Sequence, residues 1–295
     1  MELRELLWHD FRLDLRLEPA PGGTTGAALL GVDPAGRRYA VKWSASPGVV
    51  LCEGARWAGH DGRWLTVVPW FDGPTALEAT PSRAQWVAWG RGLAALHDRP
   101  VTGEVARLPR EPGDVGPVVA LFDRVDRAVA GCVPSDGPAR RLVECWAAGR
   151  SRLRAVRERA LVPVRPAPAV PCHGDLHAGN VVLTGPGGVA FVDFDDAVLA
   201  PREKDLVFVL GGGVLPFRPV TGEQQLWFFE GYGSYRADPG LLAHFRCVRA
   251  LEDVAEPAGR VLDRARPHAE RAEALGHVVG ALSRTGLVAQ ALAGP

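Results

Sequence analysis

The sequence predicts an α+β protein in two parts, a small antiparallel β-rich part followed by a larger, mainly helical one. Three observations carry that expectation. Residues 12–71 break into short apolar stretches separated by turns rich in glycine and proline. From Ser82 onward the pattern becomes helical, with Trp86, Trp89, Gly90, Leu93 and Leu96 on one face. The change falls at Pro69–Pro74, where Asp72-Gly73-Pro74 punctuates the chain. Short runs or period-two alternation mark strands and a 3.6-residue period marks helices, so this is a change of structural class. The expected division is residues 1–73 and 74–295.

The elements follow in order. Leu3, Leu6 and Leu7 give Met1–Trp8 a helical face, and Leu13, Leu15 and Leu17 alternate with charged residues as in a half-buried strand. A glycine-rich turn over residues 21–26 precedes a strand at Ala27–Val32, and Asp33-Pro34-Ala35-Gly36 turns the chain into another at Arg38–Trp43. A short helix is expected over Val50–Ala58, then a strand over Trp64–Phe71. Ser82 with Gln85, and later Thr221 with Gln224, have the spacing of a capping box. A long helix is expected from Pro138 to about Leu161, ending in a proline-rich connector over Val162–Pro171. Asp205 is expected to cap the apolar helix after it or to brace the catalytic loop, and the last 55 residues read as two or three helices.

Composition narrows the function classes. The 34 basic and 34 acidic side chains cancel, which leaves no electrostatic footprint for nucleic acid or an acidic membrane. The five cysteines are odd in number and contain no C-x-x-C pair, so they read as reduced thiols. The longest apolar run, Leu206–Phe217, is broken by glycines and is too short to span a bilayer. A soluble cytoplasmic protein is expected, and nothing in the sequence demands a partner chain. Among the 34 basic residues only Lys42 and Lys204 are lysine, so Lys42, inside a strand, stands out.

One segment has polar residues at neither helix nor strand spacing: His173-Gly174-Asp175-Leu176-His177-Ala178-Gly179-Asn180. It precedes a strand at Val181–Leu183, a Gly185-Pro186-Gly187-Gly188 turn, and a second strand, Val189–Val192, ending at Asp193. A turn between two short apolar runs predicts a hairpin. That hairpin would bring Asn180 and Asp193 side by side at its open end. An amide oxygen and a carboxylate there suit a hard cation such as Mg²⁺. Asp175, on the loop leading into Asn180, would face the substrate of the same ion.

This constellation resembles the catalytic loop of eukaryotic-like kinases, in which an aspartate, four residues and an asparagine precede a hairpin and a metal-binding aspartate. H-G-D-x-x-x-x-N followed by Val192-Asp193-Phe194-Asp195 is similar to the aminoglycoside phosphotransferase form of that loop. Gly174 stands where protein kinases carry arginine, and Asp195 where they carry glycine; both departures favour the small-molecule branch. The flanking segments Leu199–Leu206, Gly211–Gly213, Phe229–Gly233 and Phe245–Val254 resemble the members of that family that act on spectinomycin.

The resemblance implies a two-lobed kinase-like fold, with residues 1–73 as the nucleotide-binding lobe and 74–295 as the catalytic and acceptor-binding lobe. It implies ATP (or GTP) and Mg²⁺ as cofactors, and a γ-phosphoryl transfer to a hydroxyl of spectinomycin or a related aminocyclitol. Asp175 would be the catalytic base, with Asn180 and Asp193 the metal ligands. Lys42 would reach the nucleotide phosphates, oriented by Glu53. Gly23, with Gly22 and Gly26, would lie in the loop over the phosphates, and Trp70 and Phe71 at the hinge beside the adenine. A cationic acceptor would draw on spare carboxylates, with Asp195, Asp196, Glu230, Glu252 and Asp253 as candidates, and on His177.

Two other readings remain. The same fold serves other small alcohols, such as macrolides, nucleoside antibiotics, homoserine or choline. In a different class, His173, Asp175 and His177 would be ligands of a metallohydrolase, although the sequence has no second histidine cluster to complete a zinc site.

Overall fold

The computed structural model describes residues 2–20, 28–44, 51–52, 54–111, 113–210, 213 and 218–293. The chain forms two compact units, one made of Met1–Glu111, Ala169–Ala200 and Leu226–Ser234, the other of Pro112–Pro168, Pro201–Gln225 and Tyr235–Pro295. Residues 1–73 all belong to the first unit, which also takes in the Asp175 loop and its hairpin.

The first unit opens with helix α1 (Leu3–Phe11), whose Glu2 and Glu5 form a reciprocal cap. A five-stranded antiparallel sheet follows, in the order β1-β2-β3-β5-β4, made of β1 (Arg16–Pro19), β2 (Ala28–Val32), β3 (Arg38–Ser44), β4 (Arg56–His60) and β5 (Arg63–Pro69). The expected burial alternation holds at Leu13 and Leu15, which are buried between exposed Arg12, Asp14 and Arg16, but the strand itself begins only at Arg16 and Leu17 is partly buried. Those two leucines join Leu6, Leu7 and Phe11 in one core with Val41, Leu65 and Val67 of the sheet. Asp10 of α1 also pairs with His60 of β4 at 2.7 Å.

The helix expected over Val50–Ala58 is a misreading, because Arg56–Ala58 begin strand β4. The physical reason is the two-residue turn that joins β4 to β5. Asp61 and Gly62 both have positive φ, 47° and 78°. That is the type I′ hairpin geometry for which Asp-Gly is favoured, because its twist matches that of the flanking strands. Hydrogen-bonding β4 along the edge of β5 then outweighs a weak helical periodicity.

Beyond the sheet, Ser82 and Gln85 form their capping box and open α2 (Arg83–His97), with Trp86, Trp89, Gly90, Leu93 and Leu96 all buried. Strand β6 (Val170–Cys172) pairs with β9 (Val198–Ala200). Between them lies the hairpin of β7 (Val181–Thr184) and β8 (Gly188–Phe191). The start of α2 is tied to the tip of that hairpin, as Gln85 Nε2 donates to the Gly185 carbonyl at 2.8 Å.

In the second unit, α7 (Pro239–Leu262) packs against α3 (Gly116–Ala130), α4 (Gly137–Ala160), α8 (His268–Ala281) and α9 (Leu287–Leu292). Charge pairs fix these helices: Arg157 grips Asp123 through two 2.7 Å hydrogen bonds. Arg271 bonds at 2.6 Å to Asp136, which also caps the start of α4. Thr221 and Gln224 cap α6 (Gly222–Tyr232) as expected. Asp205 departs from its expected place: it lies buried within the one-turn helix α5 (Glu203–Leu206) rather than before a helix. The sequence reading also passed over α3, whose Val119, Phe122, Val125 and Val129 form a buried stripe at helical spacing.

Candidate functional site

The β7–β8 hairpin has the predicted register, with Val181 opposite Phe191. One step further out, the Val192 N–H donates to the Asn180 carbonyl at 3.0 Å, so Asn180 and Asp193 flank the open end together. The segment after the sheet reinforces the hairpin from its other side. Thr75 bridges Val182, Leu183 donates to the Pro74 carbonyl, and Ala76 donates to the Val181 carbonyl. The sequence reading missed this third partner. Its signal is the Thr75–Glu78 reciprocal pair, another capping-box spacing.

The Asp175 loop is held by its own side chains. His173 is fully buried, and its Nε2 lies 2.9 Å from the Val192 carbonyl. A carbonyl only accepts, so Nε2 carries the proton and Nδ1 is the acceptor facing the Asp175 N–H at 3.4 Å. Asn180 Nδ2 donates to the Asp175 carbonyl at 2.8 Å, which turns the amide oxygen the other way. His177 Nδ1 accepts from the Gly179 N–H at 2.9 Å, leaving protonated Nε2 3.6 Å from the Asp175 carboxylate. Gly174 has φ +86°, and a Cβ there would run into the Asp196 backbone carbonyl. Glycine in the place of the kinase arginine is therefore required by the close approach of the two backbones.

Lys42 comes from the middle of the sheet, with β2 and β5 on either side of β3. Its ammonium meets Asp193 Oδ1 at 2.5 Å and Asp195 Oδ1 at 2.9 Å. Burial works against the charge on Lys42, but the two aspartates outweigh it and raise its pKa above 10.5. Asp193 itself stands at φ 65°, in the left-handed region rarely used by residues other than glycine. Such outliers persist where surrounding contacts over-determine them, and they concentrate at functional sites. The short turn Phe194–Asp196 follows, with Phe194 buried 4.6 Å from the His173 ring.

The structure thus brings Lys42, Asp193 and Asp195 into one cluster and Asp175, His177 and Asn180 into one loop. Trp70 and Phe71 lie just after β5, and the Trp70 N–H is committed to the Arg38 carbonyl at 3.0 Å. Asp196 is exposed on the turn after Asp193. Glu230 on α6 pairs with Arg83 of α2 at 2.8 Å. Glu252 and Asp253 lie on α7 in the second unit, where Asp253 pairs with Arg249 at 2.8 Å. Glu53 and Gly23 lie outside the described residues.

The hydrolase alternative fails on geometry: among the described residues, His173, Asp175 and His177 do not converge as a ligand set. His173 is spent on backbone hydrogen bonds. The oxygen set of Asn180 and Asp193 does fit Mg²⁺, which takes one or two protein oxygens and completes its shell from phosphates and water.

A sheet lysine set against an aspartate after a hairpin, with an Asp-x₄-Asn loop before it, is the arrangement of phosphotransferases with a kinase-like fold. The chain belongs to the phosphotransferase enzyme family APH, which matches residues 45–245, more than half its length. It is similar in fold to spectinomycin phosphotransferase APH(9)-Ia in complex with ADP and spectinomycin, with a TM-score of 0.82 and 20% identity over 99% of this chain and 97% of that one. It is less similar to macrolide 2'-phosphotransferase MphH from Brachybacterium faecium, with a TM-score of 0.56 and 16% identity over 94% and 96%. A choline/ethanolamine kinase family protein from Mesorhizobium loti gives 0.54 and 17% over 98% and 96%. Among curated proteins, an uncharacterized protein of Deinococcus radiodurans is 36% identical over 98 residues, and the match spans 29% of that relative's length and 31% of this chain.

Proposed function

We propose that this protein transfers the γ-phosphoryl group of Mg·ATP to a hydroxyl of spectinomycin or a related aminocyclitol. The observation that carries the phosphotransferase reading is the joining of Lys42 to Asp193 and Asp195 beside the Asp175 loop. The acceptor class is supported by the fold likeness to a spectinomycin enzyme over nearly the whole chain, well above that to macrolide and choline kinases. The flanking segments from Leu199 to Val254 point the same way.

In this reading residues 1–73 bind the nucleotide and 74–295 supply catalysis and the acceptor site. Asp175 aligns the attacking hydroxyl and takes its proton, and Lys42 offsets phosphate charge. Asn180 and Asp193 would hold Mg²⁺, which would supply charge neutralisation at the phosphates. The acceleration is positioning and electrostatics, with no covalent enzyme intermediate. His177 orients Asp175 or touches the acceptor, and Asp196, Glu252 and Asp253 provide negative charge for a cationic acceptor. No described helix is long and apolar enough to cross a membrane.

The test is a mass spectrum of spectinomycin after incubation with the protein and Mg·ATP, beside other aminoglycosides, a macrolide and choline. Gain of one phosphoryl group on spectinomycin alone supports the proposal. Gain on another alcohol keeps the chemistry and replaces the acceptor.

A further inference from the structure

We infer that Asp195 is a positioning residue for Lys42, holding its ammonium toward the nucleotide phosphates while Asp193 serves the metal ion. The inference rests on the nucleotide-binding reading above and reassigns a residue that the sequence had suggested for acceptor contact.

The argument begins with the lysine. Its backbone is fixed on both sides, paired with Ala28 of β2 and Thr66 of β5. The side chain is only 17% exposed, so its charge needs a partner in the protein. A lysine ammonium has three donors. Among the described residues Asp193 and Asp195 take two of them, at 2.5 and 2.9 Å, and in this reading a phosphate takes the third.

One carboxylate would suffice to compensate one ammonium, and the presence of two needs an explanation. Asp193 also stands at the open end of the hairpin beside Asn180, where an oxygen shared with a divalent cation becomes a poorer acceptor for a lysine. Asp195 is then the carboxylate that stays with Lys42. Its turn is rigidly anchored, because Phe194 between the two aspartates is buried against His173. Glu53, which the resemblance implies for this role, lies outside the described residues, and the experiment sets it beside Asp195.

The experiment titrates Mg·ADP calorimetrically into the wild type, K42A, D195N, E53Q, the double variants K42A/D195N and K42A/E53Q, and D195E. D195S runs in parallel, with circular dichroism to confirm folding, so that a misfolded variant is not counted. The expected result is binding weakened about tenfold by D195N, but by less than about twofold in the K42A background, as coupled residues require. D195E should recover part of the loss, because it restores the charge. Unchanged binding in D195N overturns the inference, as do additive effects of D195N and K42A. Tighter binding in D195N overturns it too, because Asp195 would then compete with the phosphates for Lys42. Coupling of Lys42 to Glu53 instead returns the role to Glu53. Failure of the wild type to bind Mg·ADP removes the nucleotide reading itself, which separates that failure from the failure of the positioning role.

Discussion

His173 donates from Nε2 to the carbonyl of Val192 at 2.9 Å, across nineteen residues of chain. That bond ties the loop carrying Asp175 to the residue just before Asp193. The same ring lies against Phe194, just after Asp193, so one buried imidazole sets the spacing between the loop and the Phe194–Asp196 turn. The histidine acts through geometry, and its chemistry is that of a brace.

Replacing His173 by alanine should therefore cost stability as well as activity. It opens a cavity in a fully buried position and leaves the Val192 carbonyl without its donor. Such changes together cost about 2–5 kcal/mol. Urea unfolding would measure it, with His173→Gln recovering part of the loss through its amide donor. A change below about 0.5 kcal/mol would show that the brace is dispensable.

Asp175→Asn tests the catalytic assignment. The substitution keeps size and most hydrogen bonding but removes the base. Phosphoryl transfer should fall by about 10²–10⁴-fold, with Mg·ADP affinity little changed. Near wild-type turnover in single-turnover kinetics would remove Asp175 from the mechanism.

Gly174→Ala should damage the site from within its backbone. At φ +86°, with the Asp196 carbonyl in the path of a Cβ, the new methyl group forces the loop and the Asp196 turn apart. Strain of this kind costs about 1–3 kcal/mol. Thermal unfolding should show the loss, and transfer should fall more than nucleotide binding, because the displaced residue is next to Asp175.

Lys42 gives a pH signature. Its folded-state pKa is raised above 10.5, so the folded protein binds this proton more tightly than the unfolded chain. The stability it contributes is fully present below 10.5 and is lost as pH rises through the folded value. Denaturant unfolding of the wild type and Lys42→Met should therefore differ by a constant amount from neutral pH to about pH 10, and the gap should narrow above that. A gap independent of pH throughout the alkaline range would mean that Lys42 does not titrate against its aspartates.

The legibility of the site followed the range of the interactions. The loop from His173 to Asn180, the hairpin after it and Asp193 lie within about twenty residues of sequence, and a turn between two short apolar runs was enough to predict their arrangement. The capping boxes at Ser82 and Thr221 were equally local and equally readable. Strand β4 was missed, although the Asp61-Gly62 turn that follows it is a local hairpin signal. Asp205 was misplaced because a capping residue and a buried polar residue have the same identity in sequence, and only burial separates them.

The sequence by itself determined the class of most segments, though not of β4 or α3, together with the Asp175 loop and the pairing of Asn180 with Asp193, since each depends on neighbours a few residues away. Only the tertiary structure decided which carboxylates meet Lys42. That contact spans 151 residues, and nothing local distinguishes Asp195 from the other acids as its partner. The choice is made where the sheet, the hairpin and the buried Phe194–His173 contact bring two aspartates to one partly buried ammonium, whose desolvation demands them.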